Sequence, residues 1–335
     1  MRRGLANSIV ALAAFVATCG ALHAWLPSPR VRDVTAKLEF FASHKHEFET
    51  VFLGSSHVHY AVAPSVFDQV LAGAGIANRT YNFGADGMHP PEQFYVLEQI
   101  LAMKPRNLKH LFLEMDDVEV SGLPGKQISQ RTVYWHDWKR TALILRKILD
   151  ADVSESWPRK FRALRRWRAA IAGHLNLFGR NLCNVGRVFD LVAAEDVEQR
   201  EWELGPRRDG YAPLDTKISG GKLAALEGEL ARERAARIEP VAIDGYAAAA
   251  YRDYARQIHD AGATPVLLVP PVLPQLPSQL RGPAPCLLLA YNNPGVYPDF
   301  YRSDARMDPI HLNPAGAESF TRLVAADFVR SAPRP

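Results

Sequence analysis

Cysteine is scarce in this chain, and its spacing argues against a metal site. The 335 residues include only three cysteines, Cys19, Cys183 and Cys286. They have neither the C-x-x-C spacing nor the neighbouring histidines of a zinc site. We therefore expect no bound metal, and at most one disulfide, Cys183–Cys286.

The sequence also lacks the motifs of several common enzyme classes. It contains no G-x-S-x-G elbow, no Walker A motif, no G-x-G-x-x-G after a strand and no H-E-x-x-H. Nucleotide, dinucleotide and zinc-protease chemistries therefore lack their parts, and we expect no cofactor. The formal net charge is only +4, which gives no reason to expect nucleic-acid binding.

The composition is that of a folded protein. Hydrophobic residues make up 47% of the chain and charged residues 23%, which is enough apolar material for a large core. We expect a short N-terminal segment, residues 1–30, followed by one domain over residues 31–335 that carries an insertion.

The N-terminal segment has the length and polarity of a membrane anchor. Arg2 and Arg3 precede an apolar run from Leu5 to Leu26, and a helix needs about 20 residues to cross a bilayer. The positive-inside rule then places the rest of the chain outside the cytoplasm, in a single-pass arrangement. The alternative is a signal peptide cleaved near Ala24.

Short apolar runs alternate with helical segments on both sides of the insertion. This pattern is typical of a parallel sheet with helices on both faces, that is, an α/β fold. We predict helices at 64–71, 91–103, 246–261 and 314–329, and strands at 49–53, 79–83, 108–115, 264–269 and 286–290.

Residues 118–240 interrupt the alternation with basic, tryptophan-containing sequence, which we interpret as a mainly helical insertion. Phe161, Leu164, Trp167 and Ile171 recur at helical spacing among many arginines. Two interpretations remain open: a solvated face over a packing stripe, or a basic helix on an anionic membrane or polymer.

The turn Gly54-Ser55-Ser56 offers a candidate nucleophile. It follows a predicted strand, and a glycine permits the sharp turn that presents hydroxyls at the carboxyl edge of a sheet. A serine needs a base, a group that orients the base, and donors for the developing oxyanion.

Asp308 and His311 supply the base and its orienting group in one loop. At this spacing the aspartate can accept the Nδ1 proton of the imidazole while Nε2 faces the serine. The alternative is that Asp308 caps a turn and His311 is an exposed loop residue. For the oxyanion, the backbone amides of Ser56 and Gly87 are the candidate donors.

His57 and His59 flank the candidate nucleophile. Metal or substrate binding by this pair is one interpretation, and simple loop lining is the other. We favour loop lining, because two histidines after a turn rarely form a metal site by themselves.

The order of these motifs resembles that of the SGNH or GDSL-like hydrolases. In that family a serine follows the first strand, a glycine follows the second, and a D-x-x-H pair lies near the C-terminus. The likeness covers residues 50–120 and 245–330 and assigns Ser56, Asp308 and His311 as the triad. It implies a flavodoxin-like, three-layer fold.

Within that family the chain is similar to a membrane-bound subgroup that includes the D-alanyl transfer protein of teichoic acid synthesis and the alginate O-acetylation proteins. The likeness rests on Ser55 in place of the usual aspartate, on the N-terminal anchor and on H-L-N-P-A-G near the end. One departure is Asp116, which stands where the family has an oxyanion asparagine. An ionised carboxylate there would repel an oxyanion.

The resemblance implies an acyl ester hydrolase or O-acyltransferase that acts on a cell-envelope polysaccharide or a lipid-linked glycan. An integral membrane acyltransferase is a further expected partner. The alternatives are a catalytically inactive module of the same fold, which binds polysaccharide or such a partner, and a scaffold that acts through the basic insertion.

Overall fold

The structure is a computed structural model that describes residues 2–26, 29–118, 130–150, 157–187, 196–214, 216–235, 242–243, 245–273 and 277–331. By internal contacts the chain forms two units. One comprises Met1–Thr35 and Val120–Asp196, and the other comprises Ala36–Glu119 and Val197–Pro335. The second boundary falls inside the predicted insertion, because residues from Val197 onward belong to the unit that contains the sheet.

The larger unit is built around a parallel five-stranded sheet. Its strands are β1 (Thr50–Gly54), β2 (Thr80–Gly84), β3 (His110–Glu114), β5 (Thr264–Val269) and β7 (Leu287–Ala290), in the order β2-β1-β3-β5-β7. A separate parallel pair, β4 (Ala242–Ile243) and β6 (Gln279–Leu280), was not predicted. The predicted α/β class and the parallel sheet are confirmed.

Helices cover the sheet on both faces. In the larger unit they are α2 (Thr35–His44), α3 (Ser56–His59), α4 (Pro64–Gly73), α5 (Glu92–Ala102), α9 (Val197–Leu204), α10 (Gly220–Ala235), α11 (Gly245–Asp260) and α12 (Pro314–Ser331). Two 3-10 turns, Pro298–Tyr301 and Ser303–Ala305, precede α12. All residues of β1 and β2 are buried, as a sheet covered on both faces requires.

Aromatic packing assigns the helices to the two faces. Phe52 and Phe112 stack with ring centres 4.2 Å apart, and Phe67 of α4 and Phe328 of α12 pack on Phe112. Residues one position along the strands point to the other face. There Phe41 of α2 packs on the neighbouring strand β2, while α5 and α11 contact β1 and β5.

The strand order creates a crevice at the end of β1. The chain passes from β1 to β2 on one side and then returns to β3 on the other side of β1. Ligands of open parallel sheets bind at such a switch point, beyond the carboxyl ends of the strands. The residues that follow β1, β2 and β3 therefore meet at this crevice.

The smaller unit is helical. It contains α1 (Arg2–Trp25), α6 (Gln130–Tyr134), α7 (Trp138–Asp150) and α8 (Trp157–Leu182). Asn181 donates to the carbonyls of Val133 and Tyr134, which ties α8 to the end of α6. The side chains of Phe161 and Leu164 in the predicted basic stripe lie outside the described residues.

Helix α1 is long and apolar enough to cross a membrane over Ala6–Trp25. Its residues are exposed along nearly the whole length, apart from Cys19. Cys19 lies against the turn after α8, where its carbonyl accepts a hydrogen bond from Asn184. All three cysteines are free thiols, so the structure has no Cys183–Cys286 disulfide.

Candidate active site

The structure brings Ser56, His311 and Asp308 into one hydrogen-bonded chain. The Nε2 atom of His311 lies 2.8 Å from the Oγ of Ser56, and its Nδ1 lies 2.8 Å from Oδ2 of Asp308. These are hydrogen-bond distances, and the order of the groups is that of a serine triad. In the tautomer that donates Nδ1–H to the carboxylate, Nε2 accepts a hydrogen bond from the hydroxyl of Ser56.

The second oxygen of Asp308 stabilises the loop that contains Asp308 and His311. Oδ1 accepts hydrogen bonds from the backbone amides of Ile310 and His311, at 2.9 and 2.8 Å. Burial by itself raises the pKa of Asp308, but the hydrogen bond and charge of His311, together with these amides, lower it to about 2. Asp308 is therefore ionised at neutral pH.

Arg306 stabilises the same loop. Its fully buried guanidinium donates to the carbonyls of Phe300, Pro309 and Pro271 and lies over the ring of Tyr301. Burial lowers the pKa of Arg306 to about 10, so the side chain keeps its charge at neutral pH. The bond to Pro309 fixes one of the two residues between Asp308 and His311, and sequence reasoning missed it.

Ser55 and Ser56 face different environments. Ser55 is the N-cap of α3 and its Oγ accepts a hydrogen bond from the amide of His57 at 3.2 Å. The same hydroxyl donates to Oε1 of the buried Glu114 at 3.1 Å, and the amide of Ser55 donates to Oε2. Ser55 thus holds the turn, whereas Ser56 meets His311.

Gly54 makes this turn possible because of what lies beside it. A Cβ at Gly54 would overlap the side chain of Val58 and the Glu114 side chain. Any larger residue would therefore displace the carboxylate that anchors the amide of Ser55.

Two backbone amides at the crevice have no partner among the described residues, those of Ser56 and Gly87. Gly87 is exposed and has a positive φ of 65°. Unpaired N–H groups beside a nucleophile are the parts of an oxyanion hole. The structure therefore leaves both predicted donors available.

Asp116 is engaged with other groups. One carboxylate oxygen lies 3.1 Å from Nδ1 of His89, and the other accepts a hydrogen bond from the amide of Asp117 at 2.7 Å. Tyr251 fixes the Asp116 backbone by hydrogen bonds at 2.8 Å to its amide and its carbonyl. A carboxylate offers no donor for an oxyanion, and sequence reasoning did not foresee its pairing with His89.

His57 and His59 belong to separate networks. Nδ1 of His57 lies 2.9 Å from Glu114, whereas Nδ1 of His59 lies 3.3 Å from Asp86, which also accepts from Tyr60 at 2.6 Å. Among the described residues no group of three or more histidines, cysteines or carboxylates could hold a metal ion.

The ring of Trp202 lies against this second network. Its centre is 5.4 Å from that of His59 and 6.5 Å from that of Tyr60. Tyr60 in turn meets His311 edge-to-face at 5.3 Å. Trp202 comes from the predicted insertion, so part of that segment contributes to the wall of the site.

We expect replacement of Gly87 by valine to lower turnover strongly and the free energy of unfolding only modestly. A Cβ at a positive φ costs about 1–2 kcal/mol, and a displaced amide removes one oxyanion donor, about 10²-fold in rate. Turnover of an aryl ester and thermal melting of Gly87→Val measure the two effects.

Gly75 provides the matched control. It has a φ of 78° and, like Gly87, open space around an added Cβ, but it lies in the turn after α4. Gly75→Val should show the strain without the loss of turnover. Equal turnover in the two variants would contradict the role assigned to Gly87.

His59 should make the protein less stable in mild acid. Burial lowers its pKa to about 4, against about 6.5 in an unfolded chain. Between these values the unfolded state binds the additional proton, so the free energy of unfolding falls as the pH falls from about 6.5 to 4.

Urea melts at several pH values test this slope. His59→Gln should lose less stability over that range than the wild type, while His259→Gln, at a side chain 79% exposed, should follow the wild type. Parallel curves for all three proteins would show that His59 does not govern the acid response.

A scan of known protein families finds no family model that matches this chain, and a search of curated proteins finds no significant match. The assignment of a function therefore rests on the geometry of the site.

Proposed function

We propose that this protein is a membrane-anchored serine hydrolase or O-acyltransferase of the SGNH type. The observation that carries the proposal is the chain Asp308–His311–Ser56, with both hydrogen bonds at 2.8 Å. Ser56 and His311 are 255 positions apart in the sequence. They meet at the carboxyl end of β1, in the parallel sheet.

The geometry supports a two-step acyl transfer. His311 takes the proton of Ser56 as its Oγ attacks the ester carbonyl, and the amides of Ser56 and Gly87 stabilise the oxyanion. The leaving alcohol receives the proton from His311. Water or an acceptor hydroxyl then attacks the acyl-serine in the same way, so one triad serves hydrolase and transferase alike.

The substrate half of the proposal rests on the resemblance and on α1. A helix fit to cross a membrane at the start of the chain would hold the site close to the bilayer surface. With the chain outside the cytoplasm, a cell-envelope polysaccharide or lipid-linked glycan is the substrate that this position favours. An integral membrane acyltransferase is the expected source of acyl groups.

Labelling with a fluorophosphonate tests the activity, because only an activated serine reacts. We expect the purified full-length protein to take up one label, and peptide mass spectrometry to locate it on Ser56. An unlabelled, folded protein would instead favour the inactive binding module, for which the carboxylate of Asp116 in the oxyanion region is the main argument.

A reporter fusion tests the topology. Arg2 and Arg3, at the start of α1 and ahead of its apolar span, predict that the C-terminus lies outside the cytoplasm. A reporter that works only in the cytoplasm, fused after Pro335, should therefore stay silent, and one that works only outside it should be active. The reverse pattern would overturn the proposed localisation without affecting the triad.

A further inference from the structure

A second histidine–carboxylate pair lies beside the triad. Glu114 ends β3 and is fully buried. Its Oε1 lies 2.9 Å from Nδ1 of His57, and the same carboxylate holds the amide and hydroxyl of Ser55. A carboxylate on one ring nitrogen fixes the orientation of an imidazole and the position of its proton. The pair of Glu114 and His57 therefore has the same carboxylate–imidazole arrangement as Asp308 and His311.

The other nitrogen of His57 is available to a ligand. Nε2 has no hydrogen-bond partner among the described residues, and it is not one of the fully buried atoms that lack a partner. The side chain is 10% exposed. Its ring centre lies 5.7 Å from that of His311 and 6.4 Å from that of His89. The ring of His57 thus lies beside that of His311, which contacts Ser56.

The position of the proton on His57 restricts the kind of group it can bind. When the ring is neutral and donates Nδ1–H to Glu114, it presents a lone pair at Nε2, which accepts a hydrogen bond. Ester, ether and carbonyl oxygens cannot donate one, whereas a hydroxyl can. The partner that fits is therefore a hydroxyl group held close to the one that reacts at His311.

We propose that His57 binds the second hydroxyl of an acceptor that has two hydroxyls on neighbouring carbons, as sugar rings do. A hydrogen bond from each oxygen to an imidazole spans about 2.8 Å. Ring centres 5.7 Å apart let two adjacent oxygens each reach one of the histidines. This inference rests on the proposed function and specifies its acceptor.

In the transfer step the acceptor oxygen at His311 forms a bond to the acyl carbon, and the bond from that carbon to Oγ of Ser56 breaks. The acceptor proton passes to Nε2 of His311 and then to Oγ of Ser56. His57 keeps its hydrogen bond to the neighbouring hydroxyl and exchanges no proton. It is an acceptor-binding residue.

Competition between small acceptors tests the inference on the full-length protein in detergent. With p-nitrophenyl acetate as donor, the products are acetate and the acetylated alcohol. We expect the wild type to acetylate cis-1,2-cyclohexanediol about fivefold or more faster than cyclohexanol, which is the effect of one added hydrogen bond. cis-2-Methoxycyclohexanol, whose second oxygen cannot donate, should react like cyclohexanol.

The variant His57→Gln should reduce the diol preference to the statistical advantage of two hydroxyls, a ratio that does not depend on the overall activity of the variant. His259→Gln on the exposed face of α11 should keep the full preference. If His57→Gln does not fold, the wild-type comparison of diol with methoxy compound decides.

A wild type that favours the diol by no more than the statistical advantage of two hydroxyls, or that reacts with none of the alcohols, would overturn the inference. So would a diol preference that persists in folded His57→Gln. In both cases release of p-nitrophenol and labelling of Ser56 would leave the proposed hydrolase intact. A wild type that neither labels nor releases p-nitrophenol would remove the proposed function and this inference together.

Discussion

Ser56→Ala and His311→Ala should each abolish fluorophosphonate labelling and lower ester turnover by about 10⁴-fold or more, because triad members act as a unit. The hydrogen bond from Oγ of Ser56 to Nε2 of His311 at 2.8 Å is the contact that each variant removes. Asp308→Ala should cost somewhat less, since the base remains. Labelling and steady-state turnover of purified variants, each checked by thermal melting, measure these effects.

Ser55→Ala is the matched control for this prediction. The Oγ of Ser55 caps α3 and contacts Glu114, so its loss should lower stability by about 1 kcal/mol. Labelling should survive, because Ser55 has no contact with His311 in the described structure. Label retained on folded Ser56→Ala, or lost only in Ser55→Ala, would reverse the assignment of the nucleophile.

The sheet was predictable because parallel strands buried on both faces form continuous apolar runs. Val51, Phe52 and Leu53 precede a glycine, and Leu267, Leu268 and Val269 follow a capped helix, so both strands stand out from their surroundings. The short pair β4 and β6 has two residues in each strand. Such a run is too brief to show a period.

The contact between Asp308 and His311 could be predicted because the two residues lie in one loop. The two interpretations of Asp308, a partner of His311 and a cap of a turn, are both found in the structure, with one carboxylate oxygen for each. The amides that it caps fix the loop in which His311 turns back toward Asp308. The three-residue spacing therefore lets Asp308 bond both the imidazole of His311 and the backbone amides of the loop.

Glu114 was missed because its partners are distant in the chain. It is 59 residues from Ser55 and 57 from His57. In the sequence it belongs to an acidic run, Glu114-Met115-Asp116-Asp117, in which Asp116 is the residue that departs from the pattern of the family it resembles. Only the pairing of β1 with β3 brings the end of one strand beside the turn that follows the other.

Lys37 was missed for a different reason. A single lysine in a short helix such as α2 is typical of a solvated surface, yet Lys37 is fully buried. Its ammonium group donates to the carbonyls of Asn82, Gly84 and Gly210, at 3.2, 2.6 and 2.6 Å. Gly210 lies in the predicted insertion, and the amide of Asn82 donates to Asp209 there.

Lys37 thus joins three parts of the larger unit that are far apart in sequence: α2, the end of β2 and the segment around Gly210. A lysine can do this because its three N–H donors match three carbonyl acceptors. The end of β2 leads directly into the loop that carries Gly87. The same ammonium group therefore supports the strand end that precedes a proposed oxyanion donor.

Lys37→Met should consequently be strongly destabilising. Methionine fills much of the volume, but it leaves three buried carbonyls without a donor, and each unsatisfied group costs about 1–3 kcal/mol. We expect the free energy of unfolding to fall by about 3 kcal/mol or more, measured by urea denaturation of the full-length protein in detergent.

Lys45→Met is the matched control, because Lys45 donates to one carbonyl, that of Met103, at a partly exposed site. Its loss should cost about 1 kcal/mol or less. Equal destabilisation by the two variants would mean that Lys37 does not hold the end of β2 in place.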